Sequence, residues 1–264
     1  MIDKNFYLKF SNVLKKIGIK KGQTLIISAD LLLINIYLKR KKISLNLKNL
    51  IYTLKETIGK NGNIVFYSFF WDFFKGKTFN HKYTKSYSGS LSNYALLNDK
   101  DFLRTKNPVY SMLVWGKDAY KMSRIQHTDC FNIKSPFGYL LKKKTKLLFI
   151  NLDFKREAFP FFHMAEQKVR VYYRYFKFFS GKVIKNKKTK KVKIKMYVRK
   201  KNYNILTCFN DKFEKLLKKN NKLKEVKAFA SKFILIDLKA IYSMTVKELK
   251  KEKKLLIEKE TKSS

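Results

Sequence analysis

Apolar residues recur with a helical period over positions 5–17, where Phe6, Phe10, Val13, Leu14 and Ile17 fall on one stripe. The turn formers of 18–23 (GIKKGQ) end that stripe. The short β-branched run 24–28 (TLIIS) predicts a strand that closes on ADLL. The helical period returns over 46–58, GKNGN breaks it at 59–63, and 64–69 (IVFYSF) predicts a second buried strand. Helix, strand, helix, strand in that order is the pattern of a layered α/β domain.

The stretch 71–88 is irregular, aromatic and rich in turn formers, and loops of this kind over a strand end commonly carry binding work. Gly89 opens a helical segment at 90–97, and further strands are expected at 112–116 and 146–152 with a short helix at 135–142 between them. Pro160 favours the first turn of a helix running through 161–167. The segment 177–200 alternates apolar and basic residues around NKKTKK, which predicts a β-hairpin with lysines on its wet face. A helix is expected at 211–219, a late strand at 233–238 and a charged helix or frayed tail over 244–264. With no internal repeat and no long linker, the organisation expected is one α/β domain over 1–243 and a basic tail over 244–264.

Composition narrows the function. Hydrophobic content of 45% and aromatic content of 16% exclude a disordered polycation. A formal charge of +42 suggests a nucleic-acid partner, but 54 of the 61 basic residues are lysine, and arginine is the residue that forks onto bases and phosphates. The lysines run along the whole chain and rise together with Asn, Ile, Phe and Tyr, all written with AT-rich codons. A non-catalytic RNA- or polyanion-binding protein is therefore the weaker reading, and no dedicated nucleic-acid surface is expected. Cys130 and Cys208 are too few for a disulfide framework and lack metal-ligand spacing, so no metal is expected. The apolar runs 31–38 and 147–152 are too short to span a bilayer, and the amino terminus lacks a signal-type apolar core. The expectation is a cytoplasmic protein with no membrane partner.

The candidate chemistry lies in FFHMAEQ, 161–167. His163 and Glu166 are three residues apart and share one face of a helix. A carboxylate beside an imidazole fixes its tautomer and holds its ring, as a general base requires. The nearby helix amino terminus favours neutral imidazole.

Several segments fall in an order that resembles the aminoglycoside 3-N-acetyltransferase family, also called the antibiotic N-acetyltransferases. They are KKIGIKKGQTLIIS-ADL (15–31), NGNIVFYSFFWDFFKGKTFN (61–80), TKSYSGSLSNY (84–94), RTKNPVYSMLVWGKDA (104–119), CFNIKSPFG (130–138) and FFHMAEQ (161–167). The later YYRYFKFFSG (172–181) is similar to family members from surface-polysaccharide gene clusters. The resemblance implies a three-layer α/β/α fold around a central mixed sheet, here followed by a C-terminal β-hairpin and helix. It implies acetyl transfer from acetyl-CoA to an amine of a sugar-like acceptor. His163 is then the base, and Glu166 its orienter or the carboxylate that holds the acceptor amine. The family's acetyl-CoA contacts map onto Ser28, Ala29, Asp30, Leu31 and Ser111, with Thr84 and Lys85 in the neighbouring loop. Asp153 and Glu157, between strand and helix, are candidates for binding the acceptor's ammonium group. Arg104 and Ser135 read as structural.

The chain departs from the family pattern at Ser28 and Asn107, which replace histidines, and at Asn132, which replaces a glycine. Asn107 keeps hydrogen-bonding capacity without a titrating group. His127 lies one residue out of register with a family histidine, and His81 has no counterpart. Charge bears on the acceptor: a +42 protein repels a polycationic aminoglycoside and attracts CoA or a nucleotide-linked sugar. The acceptor expected is thus an amino sugar, nucleotide-linked and bound for a surface polysaccharide, with aminoglycoside resistance as the alternative.

Overall fold

The computed structural model describes residues 4–201, 205–251 and 257–261. The chain begins with α1 (Lys4–Ile17), β1 (Thr24–Ala29), α2 (Leu32–Arg40), α3 (Leu47–Ile58) and β2 (Asn63–Phe69). A 3-10 turn (Trp71–Lys75) leads to β3 (Phe79–Asn80), α4 (Ser90–Asn98), β4 (Leu103–Arg104), β5 (Tyr110–Gly116) and α5 (Ala119–Arg124). Next come α6 (Pro136–Lys142), β6 (Thr145–Ile150), α7 (Phe154–Glu157) and α8 (Phe159–Val169). The remainder is β7 (Arg174–Lys185), β8 (Lys188–Arg199), β9 (Ile205–Phe209), α9 (Asp211–Lys219), β10 (Leu223–Ala228), β11 (Ser231–Asp237), α10 (Leu238–Leu249) and β12 (Ile257–Thr261).

A seven-stranded sheet runs β10-β11-β6-β1-β2-β5-β4. Its centre, β6-β1-β2, is parallel, and the flanking pairs β2-β5, β4-β5, β6-β11 and β10-β11 are antiparallel. The mixed sheet expected from the resemblance is therefore present. Side chains alternate across it as a strand's period of two requires. Leu25, Ile27, Ile64, Phe66, Leu148 and Ile150 pack with Phe10, Leu14, Ile34, Leu50 and Leu54 of α1, α2 and α3 on one face. Ile26, Val65, Tyr67, Leu147 and Phe149 pack with Leu140, Phe161, Ala165 and Ile241 of α6, α8 and α10 on the other. Burial on both faces explains why these strands read as continuous apolar runs.

The hairpin β7-β8 turns at Asn186 and Lys187, both in the left-handed region (φ 50 and 62) that a tight two-residue turn demands. It joins β3 in a separate three-stranded sheet. The boundary expected between 243 and 244 falls inside α10, whose Ile241, Thr245, Glu248 and Leu249 are buried, so the domain continues through that helix. Beyond it, β12 pairs with β9. Residues 252–256 and 262–264 of the expected tail lie outside the described residues. Among the described residues no helix is long and apolar enough to cross a membrane.

Candidate active site

Helix α8 starts with Pro160 in its first turn and stops at Arg170, which adopts the left-handed conformation (φ 57) and donates its N–H to the Glu166 carbonyl. That cap reverses the chain, so Tyr173 and Arg174 come back beside the helix they have just left. Glu166 has no exposed surface. Its Oε2 lies 2.7 Å from His163 Nδ1 and 2.9 Å from Arg174 Nε, and its Oε1 accepts from the Tyr173 hydroxyl at 2.8 Å.

Burial opposes charge on Glu166, but the bond to His163 and the Arg174 charge outweigh it and hold the carboxyl below the ordinary 4.5. An ionised carboxylate only accepts, so His163 Nδ1 carries the proton and Nε2 keeps its lone pair. Burial and Arg174 also keep the His163 imidazole below 6.5 against the pull of Glu166. Phe131 and Phe159 stand edge-on to the ring at 5.8 and 5.7 Å, yet its side chain remains 23% exposed. The result is a neutral imidazole of fixed tautomer with access from outside.

An aromatic wall connects this ring to the sheet. Phe159 packs 5.9 Å from Phe69 at the end of β2 and 6.5 Å from Trp71, which stacks on Tyr87 at 5.6 Å. The loop before α4 crosses the same strand end: Tyr87 N–H donates to the Phe69 carbonyl and Phe69 N–H to Ser88 Oγ. Gly89 follows with φ 103, and a Cβ there would lie 3.7 Å from the Ala29 carbonyl. The carboxyl ends of β1 and β2 and the start of α4 are thus side by side, the region where open α/β sheets receive ligands.

The expected cofactor residues divide. Ser28 and Ala29 are half-buried at the end of β1. Asp30 is exposed and accepts from Leu32 N–H at 2.9 Å, starting α2, while Leu31 is buried. Lys85 is exposed, and Thr84 Oγ1 accepts from Asn80 N–H at 2.7 Å. Ser111 corrects the expectation. It is fully buried between β2 and β5, donating to the Ser68 carbonyl at 2.5 Å and accepting from Arg104 Nε at 3.0 Å, so it touches no ligand surface.

Arg104 is structural, as expected: three of its four remaining donors go to the carbonyls of His81, Thr84 and Ser68. Asn107 accepts from Val109 and Tyr110 N–H at 2.9 Å each and so orders the turn into β5. Its amide also donates to Cys130, whose thiol burial pushes up to about 12. Asn132 and Ser135 shape the turn into α6. Burial lowers both His81, to about 4, and His127.

Of the two residues expected to meet the acceptor, Asp153 is exposed and caps α7 through Lys155 N–H at 3.0 Å. Glu157 is half-buried, and burial together with Asp153 raises its carboxyl above 4.5. Among the described residues no cluster of His, Cys, Asp and Glu could hold a metal. Tyr173 and Arg174 are the partners of Glu166 that spacing could not disclose. They lie past a helix cap and share no period with Glu166.

The sequence model described as aminoglycoside 3-N-acetyltransferase matches residues 39–250. No curated protein is matched by the sequence. Among solved structures, AAC-IIIb in a binary complex with CoASH is similar at a TM-score of 0.75 and 15% identity, covering 91% of this chain and 94% of that one. AAC-VIa bound to sisomicin is similar at 0.75 and 16%, covering 92% and 97%. The YokD protein from Bacillus subtilis is similar at 0.71 and 19%, covering 91% and 92%. At these identities the structures share the fold. The family match spans most of the chain: the protein belongs to the aminoglycoside 3-N-acetyltransferase family and is an N-acetyltransferase.

Proposed function

We propose that this protein transfers the acetyl group of acetyl-CoA to an amine of an amino sugar, nucleotide-linked and destined for a surface polysaccharide. The observation that carries the reading is the His163–Glu166 pair, buried on its carboxylate side and reachable on its imidazole side. Only an unprotonated amine attacks a thioester. In the proposed step the amine nitrogen bonds to the acetyl carbon, His163 Nε2 takes the amine proton, and the carbon–sulfur bond breaks to release the CoA thiolate. Glu166 balances the imidazolium that forms, and Tyr173 and Arg174 hold Glu166 in place. Asp153 and Glu157, at the helix ahead of His163, are the proposed contacts of the acceptor's ammonium group.

For acetyl-CoA, the proposed contacts are Ser28 to Leu31 with Thr84 and Lys85. Two features suit a thioester with a polyanionic handle. No side chain caps the first N–H groups of α4, and Lys85 is exposed in the loop leading to it. The similar AAC-IIIb was solved with CoASH, which supports the same donor here.

A second reading, acetylation of an aminoglycoside, is favoured by the fold shared with AAC-VIa bound to sisomicin. The +42 charge weighs against a polycationic acceptor and for an anionic one. Thiol release from acetyl-CoA, measured with kanamycin-type drugs and with a panel of nucleotide amino sugars, decides. Faster turnover of the sugars is expected; faster turnover of the drugs overturns the proposed acceptor.

A further inference from the structure

Phe131, which packs edge-on to the His163 ring at 5.8 Å, also lines a cavity of about 360 Å³, within the range of small-molecule sites. Gln167 lines it and follows His163 by one helical turn, about 6 Å along the axis. Two observations show what the cavity would hold.

The first is an orphan acceptor. Gln167 is 9% exposed, and its Nε2 donates to both oxygens of Asp129 at 3.1 and 2.9 Å. Its buried Oε1 has no hydrogen-bond partner among the described residues. A buried amide oxygen left without a donor is destabilising, and a hydroxyl or N–H of a bound molecule would satisfy it. The second is charge. Asp129 is the acid among the described lining residues, and Gln167 and Lys195 (3.5 Å) already occupy it. Lys168 and Arg170 also line the cavity, and Arg170 and Lys195 stand over the Phe176 ring at 4.7 and 4.4 Å. The pocket therefore offers two cations beyond those its own carboxylate needs.

We infer that this cavity is the acceptor's anion subsite: Lys168 and Arg170 bind a phosphate on the sugar while Gln167 Oε1 accepts from a neighbouring hydroxyl. This rests on the proposed transferase reading and sharpens it to a phosphorylated amino sugar.

The test is calorimetric binding of glucosamine 1-phosphate and of glucosamine, with inorganic phosphate as a third probe, at fixed ionic strength. The phosphorylated sugar is expected to bind at least about tenfold tighter than glucosamine, as charge-assisted bonds allow. Lys168→Gln with Arg170→Asn, which keeps a residue tolerant of the left-handed conformation, removes that advantage. Lys190→Gln with Lys191→Gln, on the exposed hairpin, lowers the overall charge equally and preserves it. Equal binding of the two sugars, no binding of either, or equal losses in the two double variants overturns the subsite. If only inorganic phosphate is bound, the cations hold an anion but not the acceptor, and the inference also fails. The transferase reading is judged separately, by whether acetylation of any amine requires His163.

Discussion

Arg104 and Glu166 are both centres of buried charged hubs in this domain, and the two differ in what they leave free. Arg104, 5% exposed, gives four of its five donors to three backbone carbonyls and the Ser111 hydroxyl, so the guanidinium fastens the loop before α4 to β2 and β5. Glu166, fully buried, is met by an imidazole, a phenol and a guanidinium, and the imidazole keeps one nitrogen outside the hub. Neutral partners make a rivet. Ionisable partners arranged around one open nitrogen make a base. Burial alone distinguishes neither.

The comparison breaks most visibly at His163. His163→Ala is expected to cut acetyl transfer about 10³-fold, the scale of a lost general base, while a stable fold and acetyl-CoA binding persist. A single-turnover assay with calorimetric binding checks both; near-normal turnover would remove the chemical hub. Arg104→Met is expected to do the opposite, lowering stability by about 3–5 kcal/mol because buried oxygens lose their donor, while the enzyme that remains folded keeps its kcat. Denaturant titration beside active-site-normalised kinetics separates the two.

Arg174→Met sharpens the electrostatics. Activity needs neutral His163, so it rises with pH through a titration that burial and Arg174 hold below 6.5. Removing the guanidinium deletes one of those lowering causes, and the acid limb of kcat/KM is expected to move to higher pH. An unmoved limb would show that Arg174 does not act on the imidazole. The smallest effect is expected at Ser111→Ala: a stability loss of about 1 kcal/mol and no change in KM for acetyl-CoA. A raised KM would restore Ser111 to the donor site.

Much of this was legible in the chain. α1 and α3 announce themselves by stripes, the parallel centre of the sheet by short apolar runs, and α8 by Pro160 ahead of the His163–Glu166 spacing. α2 was not, because LLINIYLKR is apolar on more than one side, and Leu32, Leu33 and Ile36 are indeed exposed on it. β10 escaped because a sheet-edge strand of alternating charge, LKEVKA, has no apolar run to show. The site was half legible for a related reason. His163 and Glu166 are linked by helical spacing, whereas Arg174 reaches Glu166 only through the reversal at Arg170, and no local pattern encodes that return. Ser111 misled because motif position says nothing about which way a strand residue faces.

The sealed position of Cys130 has a practical corollary. Its thiol lies fully inside, with ionisation pushed up to about 12, so at assay pH it stays unreactive toward disulfide reagents. Colorimetric detection of liberated CoA can therefore run in the same cuvette as the protein without that cysteine consuming the dye or inactivating the catalyst.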